Sequence, residues 1–271
     1  MAERVDLFDS TYKHFTDQVL DAIRKETFGT DFGQNSWVTI DEYERLLPWL
    51  NLTAEDHVLE VASGSGGPAL YLARTTGCRV IGIDANENGV ATASEMAAKS
   101  GAAERVQFKV ANADAQLPFA SDSFDGLLCI DSMNHFPNRL AVFREWQRVL
   151  RPGRRALFTD PVVLTGPVTN DELASRSSVG LFLFVPPGIN EQFIEQSGFK
   201  LIKQEDVTDN AALISGRWFQ ARQAHKDDLL RIEGEERFVG LQQFFAAVQR
   251  LTSERRLSRI VYVVEKPDEV A

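Results

Sequence analysis

The spacing of hydrophobic positions changes along the chain, and the changes divide it. In the first fifty residues Phe8, Tyr12, Phe15, Val19, Leu20 and Ile23 recur at helical spacing, which predicts an amphipathic helix. Residues 28–37 are rich in Gly and Asn and read as a loop. A second helix is predicted over 40–50, with Asp41 and Glu42 in its first turn, as the helix macrodipole prefers. From residue 57 short apolar runs alternate with helical stretches. Runs at 57–62, 79–84, 106–110, 126–131 and 155–160 predict strands, and 69–76, 86–100 and 140–150 predict helices. Strand–helix alternation implies a mostly parallel sheet covered on both faces, with right-handed crossovers.

After Asp160 the rhythm breaks. Helices are predicted at 170–178 and 191–197, the latter closed by Gly198. A strand follows at 199–205, then a predominantly helical stretch over 208–255, then a β-branched strand at 257–265. The helical stretch therefore reads as a lid inserted between the last two strands. Three regions are expected: an N-terminal helical lid over 1–50, a ligand-binding core over 51–160, and the rest of the sheet with its lid insertions over 161–271.

Charge and cysteine content narrow the partners. The 271-residue chain carries a formal net charge of −10, which repels phosphate backbones. Its short basic cluster, Arg151, Arg154 and Arg155, reads as a solvated turn, so no nucleic-acid partner is expected. Cys78 and Cys129 both fall in or beside apolar runs, so a disulfide framework is not expected and a reducing, cytoplasmic setting is. The charged start has no apolar leader, and no apolar run reaches the ~18 residues of a membrane span. Apolar lid residues permit a homodimer without requiring one.

The chemistry concentrates in VLEVASGSGG, residues 58–67. A strand delivers the chain to a glycine-rich turn and a helix starts directly after it. Such a turn lets the backbone approach a nucleotide-like ligand, and the helix start offers free N–H groups. Gly64, Gly66 and Ala69 satisfy the dinucleotide spacing. Three carboxylates choose between a dinucleotide and S-adenosylmethionine. Glu60, in the strand end, would repel a pyrophosphate and suits a cationic amino-acid end. Asp84 ends the next strand and can accept from ribose hydroxyls, which fits either ligand. Asp114, with Ala115, follows the third strand, where a carboxylate can accept from an adenine amine.

The segments VLEVASGSGG, VIGIDAN, NADAQLPFASDSFDGLLCIDSMNHF and REWQRVLRPG together resemble a class I S-adenosylmethionine-dependent methyltransferase of the small-molecule group. The group includes sarcosine/dimethylglycine and phosphoethanolamine N-methyltransferases, natural-product sugar O-methyltransferases and ubiquinone/menaquinone methyltransferases. The resemblance covers residues 57–160 most strongly. It implies a doubly wound, Rossmann-like α/β fold: a seven-stranded, mostly parallel sheet with the last strand antiparallel. It also implies that Glu60 and Gly64 line the methionine end of the cofactor. Asp84 then holds the ribose, Asp114 and Ala115 the adenine, Ile130 supplies backbone contacts, and Ala62, Gly66 and Ala85 count among the cofactor-binding residues. Ala62 stands where the family's first glycine is usual, which a methyl group tolerates if φ is negative. Arg154 replaces the second glycine of the usual R-P-G-G turn. By the same resemblance FGQNSW, residues 32–37, folds over the cofactor. That makes Gln34, Ser36 and Trp37 candidates, with Tyr12, against a capped loop as the alternative.

The acceptor side follows from the fourth and fifth strand ends. His135 is the candidate general base, since its ordinary pKa lies near neutrality. In related enzymes a histidine pair occupies this place, and here Asn134 takes the first position. Asp160 could orient His135, bind a cationic acceptor or act as base. Phe182, Phe184, Phe193, Trp218, Phe219, Phe238, Phe244 and Phe245 supply the lid's core and a pocket wall. They suit an aromatic cage for an ammonium acceptor, or an apolar pocket for a polyketide, terpenoid or quinone. The remaining histidines lack metal-ligand spacing, so no metal site is expected. The expected reaction is in-line methyl transfer to nitrogen or oxygen of a small metabolite. The rivals are a carbon methyltransferase on a quinone- or terpenoid-like acceptor, an NAD(P)-dependent oxidoreductase, and a non-catalytic cofactor binder.

Overall fold

The computed structural model describes residues 11, 12 and 14–268. Phe8 and the first ten residues, to which the leader expectation refers, lie outside them. The strands are β1 (His57–Val61), β2 (Arg79–Asp84), β3 (Val106–Val110), β4 (Phe124–Cys129), β5 (Leu150–Leu164), β6 (Lys200–Asp206) and β7 (Leu257–Glu265). They form one seven-stranded sheet in the order β3-β2-β1-β4-β5-β7-β6. β1 to β5 are mutually parallel, and β7 runs antiparallel between β5 and β6.

Burial follows position in the sheet. Central β4 is buried at every residue, and β7 at all but its last. Such continuous apolar runs mark strands covered on both faces. Edge strand β6, which reads KLIKQED, is mostly exposed, and its charges blunt an edge that could otherwise pair with another chain. Strand order reverses between β1 and β4, and the crevice outside the carboxyl ends there is where open α/β sheets hold ligands.

The helices are α1 (Gln18–Phe28), α2 (Ile40–Leu46), α3 (Gly67–Thr76), α4 (Glu87–Lys99), α5 (Arg139–Val149), α6 (Asn170–Arg176), α7 (Ile189–Gln196), α8 (Thr208–Ala224), α9 (Lys226–Glu233) and α10 (Glu235–Ser253). Thr11 and Tyr12 are helical too, but a turn at 14–16 precedes α1, which Asp17 caps by accepting from Val19 N at 2.8 Å. α8 to α10 lie between β6 and β7 in sequence and pack on α1. Ile23 meets Ala221, Leu229 and Phe238, while Phe28 joins Ile214 and Phe245. β5 begins directly after α5, five residues earlier than its apolar core suggests. The arginines read as a solvated turn therefore sit in a strand and are ion-paired: Arg151 with Asp125 at 2.6 Å, Arg154 with Asp56 at 3.0 Å, and Arg155 with Glu265 at 2.9 Å. Among the described residues no helix is long and apolar enough to cross a membrane.

Candidate active site

A cavity of about 770 Å³ opens at the carboxyl ends of β1 and β4 and runs beneath α1, α6 and α8 to α10. Its volume falls in the ~300–1,000 Å³ range of small-molecule sites. Glu60, Ala62, Gly64, Asp84, Ala85, Asp114, Ile130, Ser36, Trp37, Tyr12 and His135 all line it. Residues far apart in sequence thus share one cavity.

The glycine turn is shaped by close packing. Gly64 has φ +51°, and a Cβ there would come within 2.6 Å of the Tyr12 hydroxyl oxygen. Ala62 has φ +57°, so the condition under which a methyl group is easily tolerated there is not met. The turn forces a left-handed conformation on an alanine, which costs about 1–2 kcal/mol. Asp84 holds the turn: its Oδ2 accepts from Gly64 N and its Oδ1 from Asn86 N, both at 2.8 Å. The Ala85 N–H also draws on this carboxylate, which keeps acceptor capacity for a further donor. Burial pushes the Glu60 carboxyl well above the usual carboxylate range, against a backbone N–H of Ala69 that pulls it down. Glu60 Oε2 and Ser63 Oγ are buried on this wall without a hydrogen-bond partner among the described residues.

Also lining the cavity, His135 Nδ1 lies 2.7 Å from the Leu181 carbonyl oxygen, so Nδ1 carries the hydrogen and Nε2 the lone pair. Asn134 Nδ2 lies 3.1 Å from Nε2. Burial holds the imidazole below the usual histidine range, against the Leu181 hydrogen bond that raises it. The neutral form is therefore favoured at physiological pH.

Four expected site residues lie elsewhere. Gln34 is buried outside the cavity and braces its own loop by accepting from Phe32 N at 2.9 Å. Gly66 caps α3 at φ +81°, and a Cβ there would strike Phe108 and Ala93, so its need is packing. Ala115 is solvent-exposed beside the cavity-lining Asp114. Asp160 is fully buried beneath the cavity floor. Its Oδ2 accepts from Arg139 at 2.5 Å and Asn190 at 2.8 Å, and its Oδ1 from Val162 N at 3.2 Å. That engagement removes it as a base or cation ligand.

Residues not foreseen complete the site. Asp131 Oδ2 accepts from Trp37 N at 2.9 Å, tying the N-terminal segment to the sheet edge. Its Oδ1 accepts from Arg259 at 2.6 Å and Thr159 at 2.7 Å. Arg176, at the end of α6, enters the cavity among Trp37, Phe182 and Phe244. Two of the rings expected to cage an ammonium ligand, Phe182 and Phe244, thus already face the protein's own cation. Asp131 was visible only as one residue of a motif, and nothing in the local pattern around Arg176 marked it.

Comparison with known proteins agrees with this geometry. The family described as Methyltransferase domain matches residues 58–153. A 27-O-demethylrifamycin SV methyltransferase of Amycolatopsis mediterranei is 28% identical over 95% of this chain and 96% of its own length. The O-methyltransferase rstn1 of Aspergillus nomiae is 31% identical over 58% of this chain and 69% of its own. Methyltransferase GfsG of Streptomyces halstedii is 36% identical over 61% of this chain, which spans 60% of that relative's length. In fold, the chain superposes at a TM-score of 0.80 on phosphoethanolamine N-methyltransferase 2 of Haemonchus contortus, solved with phosphomonomethylethanolamine and S-adenosylhomocysteine. Identity there is 21%, over 96% of this chain and 60% of that one. The chain belongs to the S-adenosylmethionine-dependent methyltransferases.

Proposed function

We propose that this enzyme methylates an oxygen of a small organic molecule, with His135 as general base. S-adenosylmethionine, when bound, supplies an electrophilic methyl group on a sulfonium. The residues of the glycine-turn wall fit that cofactor. Glu60 Oε2 and Ser63 Oγ are buried polar atoms in want of partners, and the methionine ammonium and carboxyl groups would supply them. Asp84 keeps acceptor capacity for a ribose hydroxyl, and Asp114 lines the same cavity as a candidate acceptor for the adenine amine. Ala85, Ile130 and Trp37 line the cavity with them.

The observation that favours oxygen over nitrogen is how the carboxylates at the lid end are used. A charged amine needs a free carboxylate to hold it. Asp160 is taken by Arg139, Asp131 by Arg259, and Glu233 by Arg222 and Arg237. What that end offers instead is a neutral imidazole. Its Nε2 lone pair can take a hydroxyl proton as the new C–O bond forms, and the Nδ1–H bond to Leu181 fixes the ring for that transfer. The Asn134 amide, which now faces Nε2, would have to yield to the acceptor hydroxyl. The aromatic lid surrounding the site excludes water from the reacting centre. A helical lid formed by the N-terminal segment and α8 to α10 completes this reading.

The test is transfer from methyl-deuterated S-adenosylmethionine to a panel of phenols, enols, aliphatic alcohols, amines and activated carbons, read by mass spectrometry. Labelled methyl ethers or esters, lost in His135→Ala, are the expected products. Labelled amines or C-methyl products alone would overturn the reading.

A further inference from the structure

Resting on the methyl-transfer reading of the cavity, we propose that the acceptor bears, apart from the hydroxyl that is methylated, an oxyanion, a carboxylate or an acidic phenol or enol, and that Arg176 is the residue that binds it. The argument begins with the cost of the side chain where it stands. Arg176 is 1% exposed, and its Nε and Nη1 are enclosed without a hydrogen-bond partner among the described residues. A buried guanidinium without an anion is expensive, and native proteins seldom keep one idle.

The other cavity-lining arginines are compensated. Arg24 meets Asp31 at 2.9 Å, Arg222 bonds Glu233, and Arg237 approaches Glu233 at 3.7 Å. The carboxylates whose charge reaches Arg176 are Asp131 and Asp160, and both are bound to other arginines. What touches Arg176 instead is aromatic. Its guanidinium carbon lies 4.6 Å from the Phe182 ring centroid, 5.1 Å from that of Phe244 and 6.0 Å from that of Trp37. Ring faces soften the desolvation of a cation but give its N–H groups no acceptor. Burial draws its pKa down to about 9, yet the side chain remains protonated at neutral pH.

The cavity is consequently polarised. Glu60, Asp84 and Asp114 come from β1, β2 and the segment after β3, on one side of the point where strand order reverses, whereas His135 follows β4 on the other side and shares Phe182 with Arg176. A planar guanidinium set among aromatic walls suits a flat, conjugated oxyanion better than a tetrahedral phosphate or an ammonium.

The test titrates 2-naphthoate, its neutral analogue 2-naphthamide and the cation (2-naphthylmethyl)trimethylammonium into the full chain by calorimetry, with and without S-adenosylhomocysteine. Naphthoate should bind about 10- to 100-fold more tightly than the amide, as a charge-assisted hydrogen bond provides. The preference should disappear in Arg176→Met and survive in part in Arg176→Lys, with S-adenosylhomocysteine affinity unchanged in both as the check on folding. Equal binding of acid and amide, a preference that persists in Arg176→Met, tighter binding of the cation, or no naphthoate binding would each overturn the proposal. If Arg176→Met does not fold, the wild-type preference and Arg176→Lys decide. Failure of the cofactor reading is seen separately, as no binding of S-adenosylhomocysteine, and the acid–amide comparison is still read without it.

Discussion

Replacing Arg259 by methionine should be among the most damaging single changes in this protein, although the residue lies on the last strand and outside the cavity. The Arg259 side chain is fully enclosed and bridges two enclosed carboxylates. Its Nη1 donates to Glu42 at 2.5 Å and its Nε to Asp131 at 2.6 Å. Burial alone would lower its pKa, but Asp131 and Glu42 more than reverse that, so the guanidinium stays charged. Methionine fills similar volume and removes the charge, leaving two carboxylates without their cation. Removing one partner of a buried ion pair costs about 3–5 kcal/mol. At about 2–4 °C per kcal/mol for a chain of this size, Tm should fall by about 6–20 °C. Urea denaturation at neutral pH, with thermal melts beside it, measures the loss. Adding Glu42→Gln to the variant removes one stranded carboxylate and should recover part of it. Because Asp131 also receives Trp37 N, S-adenosylhomocysteine should bind more weakly to Arg259→Met. A loss under ~1 kcal/mol, or no recovery in the double variant, would refute the claim that this network ties the N-terminal segment to the sheet.

Three further outcomes are expected. Ala62→Gly relieves a left-handed alanine but frees the unfolded chain, for a net stabilisation of up to ~1.5 kcal/mol by urea denaturation; a clear loss would show that the Ala62 methyl contributes more in packing than it costs in strain. Burial raises the Glu60 pKa, so capture of the methionine ammonium should expel a proton. Calorimetry of S-adenosylhomocysteine in buffers of contrasting ionisation heat should show this release in wild type and not in Glu60→Gln; buffer-independent heats in wild type count against the pairing. His135 is neutral in the folded protein to a pH below its ordinary value of 6.5, because burial disfavours the imidazolium. The acid limb of kcat/KM should therefore fall below that pH. Any contribution to stability is present above 6.5 and is lost as pH falls towards the folded value, since only the unfolded chain gains the proton early. An acid limb at or above the ordinary histidine value would remove His135 as the base.

What the sequence shows of this protein depends on whether a residue's role is local or assembled. Strand and helix positions in the core were legible because burial on both faces leaves continuous apolar runs, as in VIGI of β2 and IVYVV of β7. Glu60, Asp84 and Asp114 were legible because each stands at the carboxyl end of a strand, and the sheet carries all such ends to one edge. The same rule misplaced Asp160. It ends the apolar core of β5, but Arg139 on α5 and Asn190 on α7 approach it from beneath, and no spacing within β5 reports that. Gly66 satisfied a ligand-binding spacing for a packing reason, the approach of Phe108 and Ala93. Gln34 shares a segment with Trp37, yet its side chain turns back on its own loop, a choice of rotamer that residue type does not encode. Arg176 is the extreme case. Its sequence neighbours are an ordinary polar helix end, and its meaning arises only when α6 brings it among Trp37, Phe182 and Phe244 with every nearby carboxylate already taken. On the proposed reading, cofactor recognition in this fold is therefore written at strand ends, where position implies direction. On the same reading, acceptor recognition is written in the pairing of charges between distant elements, and that pairing exists only once the lid is folded against the sheet.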